Sequence, residues 1–334
     1  MPIDQEGEGE NVRGISVVVP VFQGEQTLKT LVGELAPLAS PRQTPGGRWF
    51  RVLELILVHD GASDGSARVM KSLAAEFPFV RLLWLSRNYG QHPATMAGMA
   101  GTRGEWIVTL DEDGQQDPAD MGRLLDVALD RRVRLVYARG ANEAPHGYLR
   151  NRLSGFAKWI FVRLLGGNVG AFNSFRLIEG QVARGVETYC GANVYLDVAL
   201  SWVVGEAAHC PVTLRPERGR SSGYTLPRLL RHFWHLVLTS GTLPLRFVAL
   251  VGVLSIVLGG VISGVQIWRR MQHEIPVQGW TSTIVVICLF SGLILISLGV
   301  IAEYLGVAVS MALGKPAYLI VSRPAEDLQK PPGP

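Results

Sequence analysis

Three consecutive carboxylates, Asp111, Glu112 and Asp113, stand directly after the apolar run from Trp106 to Leu110. That run is short and rich in β-formers, so it reads as a buried strand. Carboxylates at the end of a buried strand repel one another and resist desolvation. A divalent cation is the simplest thing that would offset both costs. Side chains alternate along an extended segment, so Asp111 and Asp113 are expected to face one way and Glu112 the other. An Asp-x-Asp pair of hard oxygens suits Mg²⁺ or Mn²⁺ carrying a substrate's phosphates. A lone pair of this kind is also explained by an acidic turn capping the helix that begins near Asp117. The neighbouring strand endings decide between the two.

Stepping out from the acidic turn, strands and helices alternate. Ile15 to Val19 predicts a strand stopped by Pro20. Leu28, Leu31, Val32, Leu35 and Leu38 follow with amphipathic helical spacing. Residues 39–50 hold Pro/Gly clusters and predict a loop. Leu53 to Val58, Val80 to Leu85 and Arg134 to Ala138 predict further strands. Helices are expected at Ser66 to Phe77, Pro93 to Gly101 and Met121 to Asp130. Near-continuous apolar strands alternating with helices indicate an α/β fold with a doubly wound, mostly parallel sheet. Ligands bind such sheets beyond the carboxyl ends of the strands. Here four endings are polar or Gly-rich: Pro20-Val21-Phe22-Gln23, His59-Asp60-Gly61, Ser86-Arg87-Asn88 and Asp111-Glu112-Asp113. Four such endings on one edge make one site. Neither a dinucleotide-binding glycine fingerprint nor a P-loop follows any strand.

The chain has 334 residues and a formal charge of +4, which does not suggest a nucleic-acid-binding protein. Its three cysteines, Cys190, Cys210 and Cys288, show neither a disulfide framework nor zinc spacing. Residues 1–12 lack the pattern of a signal peptide. Residues 247–268 and 280–302 are free of charge, and each would span roughly 30–35 Å as a helix. Two transmembrane helices are therefore expected, with Trp268 and Trp280 bracketing their connection. With nothing to export the large N-terminal domain, both termini are expected in the cytoplasm, at the plasma (inner) membrane. The expected layout is a catalytic domain over 1–225, a juxtamembrane amphipathic helix over 226–242, a membrane region over 243–314 and a tail over 315–334. Between Arg215 and Arg246 lie six arginines and one acid, Glu217, a basic stretch suited to an anionic lipid head group.

Taken together, these motifs resemble the family 2 glycosyltransferases of the GT-A fold. More narrowly they resemble the polyprenyl-phosphate glycosyltransferases, relatives of dolichol-phosphate mannose synthase. VVVPVFQGE (17–25) resembles the family's VVPVYNE, and LILVHDGASDGS (55–66) its VDDGSxDGS. LSRNYGQHPATMAGM (85–99) is similar to LSRNFG…A…AG, and LDEDGQQDPAD (110–120) to DADLQxPPE. FNSFRLI (172–178) resembles GDFRL, and GRSSGYTLPRLLRH (219–232) resembles GESKYPLRKLL. The ending, with GVIAEYLG and KPAYLIVSR, looks like the family's second membrane helix and tail. The matches are ordered and cover nearly the whole chain.

The resemblance implies a GT-A catalytic domain and an inverting transfer of sugar from a nucleotide sugar to a polyprenyl phosphate, with Mg²⁺ or Mn²⁺ as cofactor. It places Pro20, Phe22, Glu25, His59, Asp60, Arg87, Asp111 and Glu112 at the donor. Asp111 and Asp113 become metal ligands, with Gln115 as a further contact to the metal. Arg176 falls where the family's arginine approaches the phosphates. Arg218, Arg220 and Ser222 fall in a loop expected to meet the lipid phosphate. Ser174 stands where the family commonly has an Asp, a candidate catalytic base. The acceptor phosphate is already an anion, so direct attack needs no strong base. His59 replaces the first Asp of DDGS, and Gly223 replaces the Lys of ESKY. Asp197, on an apolar helix, is either half of a buried ion pair or an approach to the active site. Gly259, Gly260 and Gly264 would permit close helix packing and a homo-oligomer.

Two other functions fit parts of the sequence. One is a membrane glycosyltransferase with a hydroxyl or glycan acceptor. Such synthases carry QxxRW, whereas Gln181-Val182-Ala183-Arg184 is followed here by Gly185. The other is a catalytically degenerate lipid-binding scaffold, suggested by His59, Ser174 and Gly223. The intact Asp111/Asp113 pair argues against it.

Overall fold

The computed structural model describes residues 12–141, 173–186, 190, 194–215, 243–272 and 280–324. The chain divides into two compact units, one formed by residues 1–224 together with 315–334, the other by residues 225–314.

The first unit is built on a mixed sheet. In chain order its strands are β1 (Arg13–Val21), β2 (Arg42–Gln43), β3 (Trp49–His59), β4 (Val80–Leu85), β5 (Trp106–Thr109), β6 (Leu135–Gly140), β7 (Arg176–Glu179), β8 (Ala208–Val212) and β9 (Ile320–Val321). They lie in the order β8-β6-β7-β5-β1-β3-β4-β9, with β2 added beside β3. The pairs β1/β3, β1/β5, β3/β4 and β6/β8 are parallel. Strand β7 runs antiparallel to both β5 and β6. Helices α1 (Leu28–Leu35), α2 (Ser66–Glu76), α3 (Gln91–Ala100) and α4 (Met121–Arg131) connect the first six strands. Helices α5 (Gly180–Gly185) and α6 (Leu196–Val203) follow β7.

The strands are apolar on both faces because both faces are covered. Val17, Val19, Val21, Leu55, Leu57 and Val108 join a core with Leu28, Leu31 and Leu35 of α1, Met70 of α2 and Leu124 of α4. The intervening residues pack under α3. A Cβ placed on Gly98 would lie 2.3 Å from Val18 Cγ1 and 2.9 Å from Val58 Cγ2. Glycine at that position lets α3 approach the sheet and bring its N-terminus to the strand ends.

A buried carboxylate ties the opposite edge. Glu54 on β3 accepts from Ser16 Oγ at 2.8 Å and from Arg103 N at 2.6 Å, and pairs with Arg81 on β4. Burial alone would raise its pKa; Arg81, Ser16 and the Arg103 amide together bring it below the usual carboxylate range.

Strands and helices fall within a few residues of the sequence expectation. The loop expected over 39–50 contains the short strand β2, paired antiparallel with the start of β3. The FNSFRLI segment, expected as a binding motif, forms β7 in the middle of the sheet. Within the segment expected as a tail, β9 pairs antiparallel with β4 and belongs to the first unit.

The second unit carries two helices, α7 (Leu243–Met271) and α8 (Trp280–Ala312). The two apolar stretches expected as spans, 247–268 and 280–302, fall within these two helices. Among the described residues one stretch, Phe290–Val309 of α8, is long and apolar enough to cross a bilayer. The apolar part of α7, Val248–Val261, is shorter. Ile294, Leu295, Ile296, Leu298 and Leu305 on α8 are more than half exposed, unlike residues of a core helix.

Gly98→Ala is expected to destabilise the catalytic unit by about 1–3 kcal/mol through overpacking against Val18 and Val58. Chemical denaturation of wild type and variant checks this.

Candidate active site

The carboxyl ends of β1, β3, β4 and β5 converge as the sequence implies, and carboxylates lock their loops together. Strand β5 stops at Thr109, and residues 111–114 form a turn with Gly114 at φ +73°. The extended alternation expected for Asp111 to Asp113 therefore does not hold, because left-handed backbone at Gly114 turns the chain. Glu112 accepts from the backbone N–H groups of Phe22 and Gln23 at 3.1 and 3.0 Å. Its carboxylate fixes the loop after β1. Glu25 accepts from Gly65 N at 3.1 Å, and Asp64 accepts from Glu25 N at 3.3 Å. These bonds join the loops after β1 and β3. Asp60 accepts from Tyr89 N at 2.7 Å and Gly90 N at 2.8 Å, joining the loops after β3 and β4. Burial raises the Asp60 pKa, opposed by those two amides and by Arg87. Arg87 lies over the Tyr89 ring, 4.1 Å from its centroid. Phe22 is exposed at the edge of the site, and Pro20 lies in β1 at its rim.

Asp111 is the centre. Its carboxylate accepts hydrogen bonds from the Gln91 amide at the start of α3, from Gln116 Nε2 at 3.1 Å and from the Ser174 hydroxyl. Gln116 is buried and reaches two ways: its Oε1 accepts from Asp111 N at 2.9 Å, and its Nε2 also donates to Ser174 Oγ at 2.8 Å. Desolvation pushes the Asp111 pKa up to about 6. Asp113 adds to the rise, while Ser174, Arg176 and Gln116 oppose it. Asp113 accepts from Gln115 N at 2.9 Å and borders a small cavity of about 180 Å³ with Gln26, Thr27, Thr30 and Glu34 of the α1 region.

This donor set suits a hard divalent cation. A desolvated Asp111 with a like charge beside it is the electrostatic deficit such an ion relieves. Among the described residues no group of three or more His, Cys, Asp and Glu side chains could hold a metal by itself. Asp111 and Asp113 would supply two ligands, leaving the remainder to substrate oxygens and water. Gln115 gives its backbone to the turn, its N–H to Asp113 and its carbonyl to Arg215 N at 2.8 Å.

Two expected site residues are buried and already engaged. Arg176 is 2% exposed and pairs with Asp197 on α6, and its Nε donates to Thr109 Oγ1 at 3.1 Å. Tyr137 OH completes the group by donating to Asp197 at 3.0 Å. Burial opposes the charge on Arg176, but Asp197 outweighs it and the pKa rises. Arg176 thus makes a buried ion pair with Asp197, the first of the two readings of that residue, and its charge still bears on Asp111. The physical reason is register: Arg176 stands opposite Thr109 and Tyr137, whose side chains share its face of the sheet. His59 is also buried, its ring 5.2 Å from that of Trp84, and neither ring nitrogen has a hydrogen-bond partner among the described residues. Desolvation lowers its pKa, with Asp64 opposing and Lys71 adding to the shift. Arg218, Arg220 and Ser222 lie outside the described residues. Sequence reasoning missed Gln116 and Gln91. A second glutamine directly after Gln115 was the available signal for Gln116; Gln91 had none.

The sequence pattern of the family described as glycosyl transferase family 2 matches residues 16–185. The chain belongs to that family, and it is a glycosyltransferase. It is 27% identical over 324 residues to a bactoprenol glucosyl transferase of Shigella phage SfX, covering 92% of this chain and 99% of that protein. It is 26% identical over 313 residues to an undecaprenyl-phosphate 4-deoxy-4-formamido-L-arabinose transferase of Klebsiella pneumoniae (strain 342), covering 92% and 93%. In fold it is similar to a crystal structure of glucosyl-3-phosphoglycerate synthase from Mycobacterium tuberculosis, with a TM-score of 0.50 and 19% identity over 68% of this chain and 78% of that one. The GT-A fold is thus the observed architecture.

Because the folded pKa of Asp111 lies above its usual 3.8, ionising it costs stability. The cost is absent below about pH 3.8 and complete above about pH 6. In metal-free protein, carboxyl NMR should show Asp111 titrating near pH 6. Asp113→Asn should lower that midpoint and Ser174→Ala should raise it. Separately, Asp197→Ala leaves Arg176 buried without its counter-charge and should cost about 3–5 kcal/mol in chemical denaturation.

Proposed function

We propose that this glycosyltransferase moves a sugar from a nucleotide sugar to the phosphate of a polyprenyl lipid, giving a polyprenyl-phosphate sugar and a nucleoside diphosphate. The observation that carries the reading is the Asp111–Ser174–Gln116 cluster at the carboxyl edge of the sheet, in a chain that aligns almost end to end with transferases named for bactoprenol and undecaprenyl phosphate.

A lipid phosphate oxygen attacks the anomeric carbon as the bond to the nucleoside diphosphate breaks, with inversion in one displacement. The attacking oxygen is already anionic, so no proton need be removed. That agrees with a site in which Ser174, not a carboxylate, stands beside Asp111. Asp111 and Asp113 would hold Mg²⁺ or Mn²⁺, with Gln115 as a further contact; the ion would neutralise charge gathering on the leaving diphosphate. Gln116 and Ser174 keep the Asp111 carboxylate in one orientation. Phe22, Glu25, Asp60 and Arg87 line or brace the donor side.

The acceptor side begins at Arg215. Its guanidinium pairs with Glu34 at 2.7 Å and Asp117 at 2.6 Å, and its N–H meets the Gln115 carbonyl. Arg218, Arg220 and Ser222 follow Arg215 by three to seven residues in the sequence. Those side chains are suited to the lipid phosphate. The exposed apolar span of α8 supports membrane attachment. A two-helix arrangement with the catalytic unit in the cytoplasm, and self-association through Gly259, Gly260 and Gly264, belong to the same reading.

Purified protein in detergent, given Mn²⁺ or Mg²⁺, a short polyprenyl phosphate and a panel of nucleotide sugars, should release nucleoside diphosphate and form a lipid-extractable sugar. Asp113→Ala should lower turnover by about 10²–10³-fold. Release of diphosphate without a lipid product would direct the reading to a hydroxyl or glycan acceptor. Unchanged turnover in Asp113→Ala would overturn the metal-assisted mechanism.

A further inference from the structure

Strand β4 would be an open sheet edge without β9. The pairing is short, Trp84 opposite Val321 and Leu85 opposite Ile320. One residue further on, Ser86 N–H donates to the Leu319 carbonyl at 3.0 Å. The segment is anchored beyond that contact: Val321 packs against the main core, and Pro324 is buried. Two paired residues are too few to hold a strand by themselves, so these anchors matter. Ser86 opens the loop that continues through Arg87 to Gly90. Its hydroxyl lies 3.0 Å from Tyr89 OH, and Tyr89 and Gly90 donate their amides to Asp60. The returning segment and Asp60 therefore grip the same loop from opposite ends.

We propose that residues 319–324 are a positioning strap for the 86–90 loop, holding it in the shape that meets the nucleotide sugar. The strap lies after both apolar helices in sequence, yet its ladder closes on the catalytic sheet. Without it, Ser86 loses its backbone partner and the β4 edge is exposed, leaving Asp60 as the main restraint on the loop. The donor role of the loop rests on the function proposed above; the grip on the loop does not.

The test compares the full chain in detergent with two variants, a chain ending after Tyr318 and the milder Val321→Asp. Amide hydrogen exchange over 86–90 is read without ligand. KM and kcat are read with Mn²⁺, a short polyprenyl phosphate and UDP-glucose, UDP-N-acetylglucosamine and GDP-mannose in turn. Both variants should exchange faster over 86–90. Donor KM should rise about fivefold, the scale of one or two lost hydrogen bonds, with kcat changed less than about twofold. Adding a peptide of residues 315–324 to the truncated chain should restore both. Unchanged exchange over 86–90 overturns the strap, whatever the activity. Faster exchange with an unchanged donor KM overturns its role toward the donor. Absence of turnover in the unmodified chain would count against the proposed function, while the exchange result would still decide whether the strap holds the loop.

Discussion

A carboxylate removed from water needs donors, and the site is arranged around supplying them to Asp111. They come from three places: the first residue of α3, the turn after β5 and Ser174, two residues before β7. Strand β7 is inserted antiparallel between β5 and β6, and that insertion is what sets Ser174 beside Asp111. Gln116 then bridges the two, and Thr109 fastens the Ser174 carbonyl from below. The donors do not fully offset desolvation and the neighbouring Asp113, so Asp111 remains a weaker acid than usual. A site left in that state favours a cation.

The same economy governs the surrounding loops. Glu112, Asp60, Glu25 and Asp64 could each be read as a substrate contact. In the structure each spends oxygens on backbone amides of a neighbouring loop. Loops at the end of a parallel sheet lack the mutual ladders of strands, and carboxylate-to-amide bonds replace them. The acidic motifs thus define the site's shape as well as its charge. A substitution in one loop will be felt in another, because the bonds cross between loops.

Much of this was legible in the sequence. Alternating apolar runs fixed the strands and helices to within a few residues, because both faces of the sheet are buried and periodicity was strong. The convergence of strand endings followed from parallel topology. Side-chain orientation did not follow. The pairing of Arg176 with Asp197 came from its register against Thr109 and Tyr137, which no sequence pattern shows. His59 looked like a donor contact and is buried on Trp84. Gln116, which sequence reasoning passed over, is the glutamine that holds Asp111. The strand β9 is two residues long, too short for any pattern. Apolar composition suggested two membrane spans, and among the described residues Phe290–Val309 of α8 is long and apolar enough for one, with a shorter apolar stretch in α7.

The position of β9 in the chain also bears on the order of assembly. Domains begin to fold from the N-terminus during synthesis. Strands β1 to β8 and the Asp111 cluster can form from residues made early. The edge of β4 must wait until α7 and α8 have been translated. A nascent chain that has not yet delivered its apolar helices thus has an unfinished sheet, with its β4 margin open to other strands. Completion of the catalytic unit is coupled in time to synthesis of the helices that would carry it to its lipid.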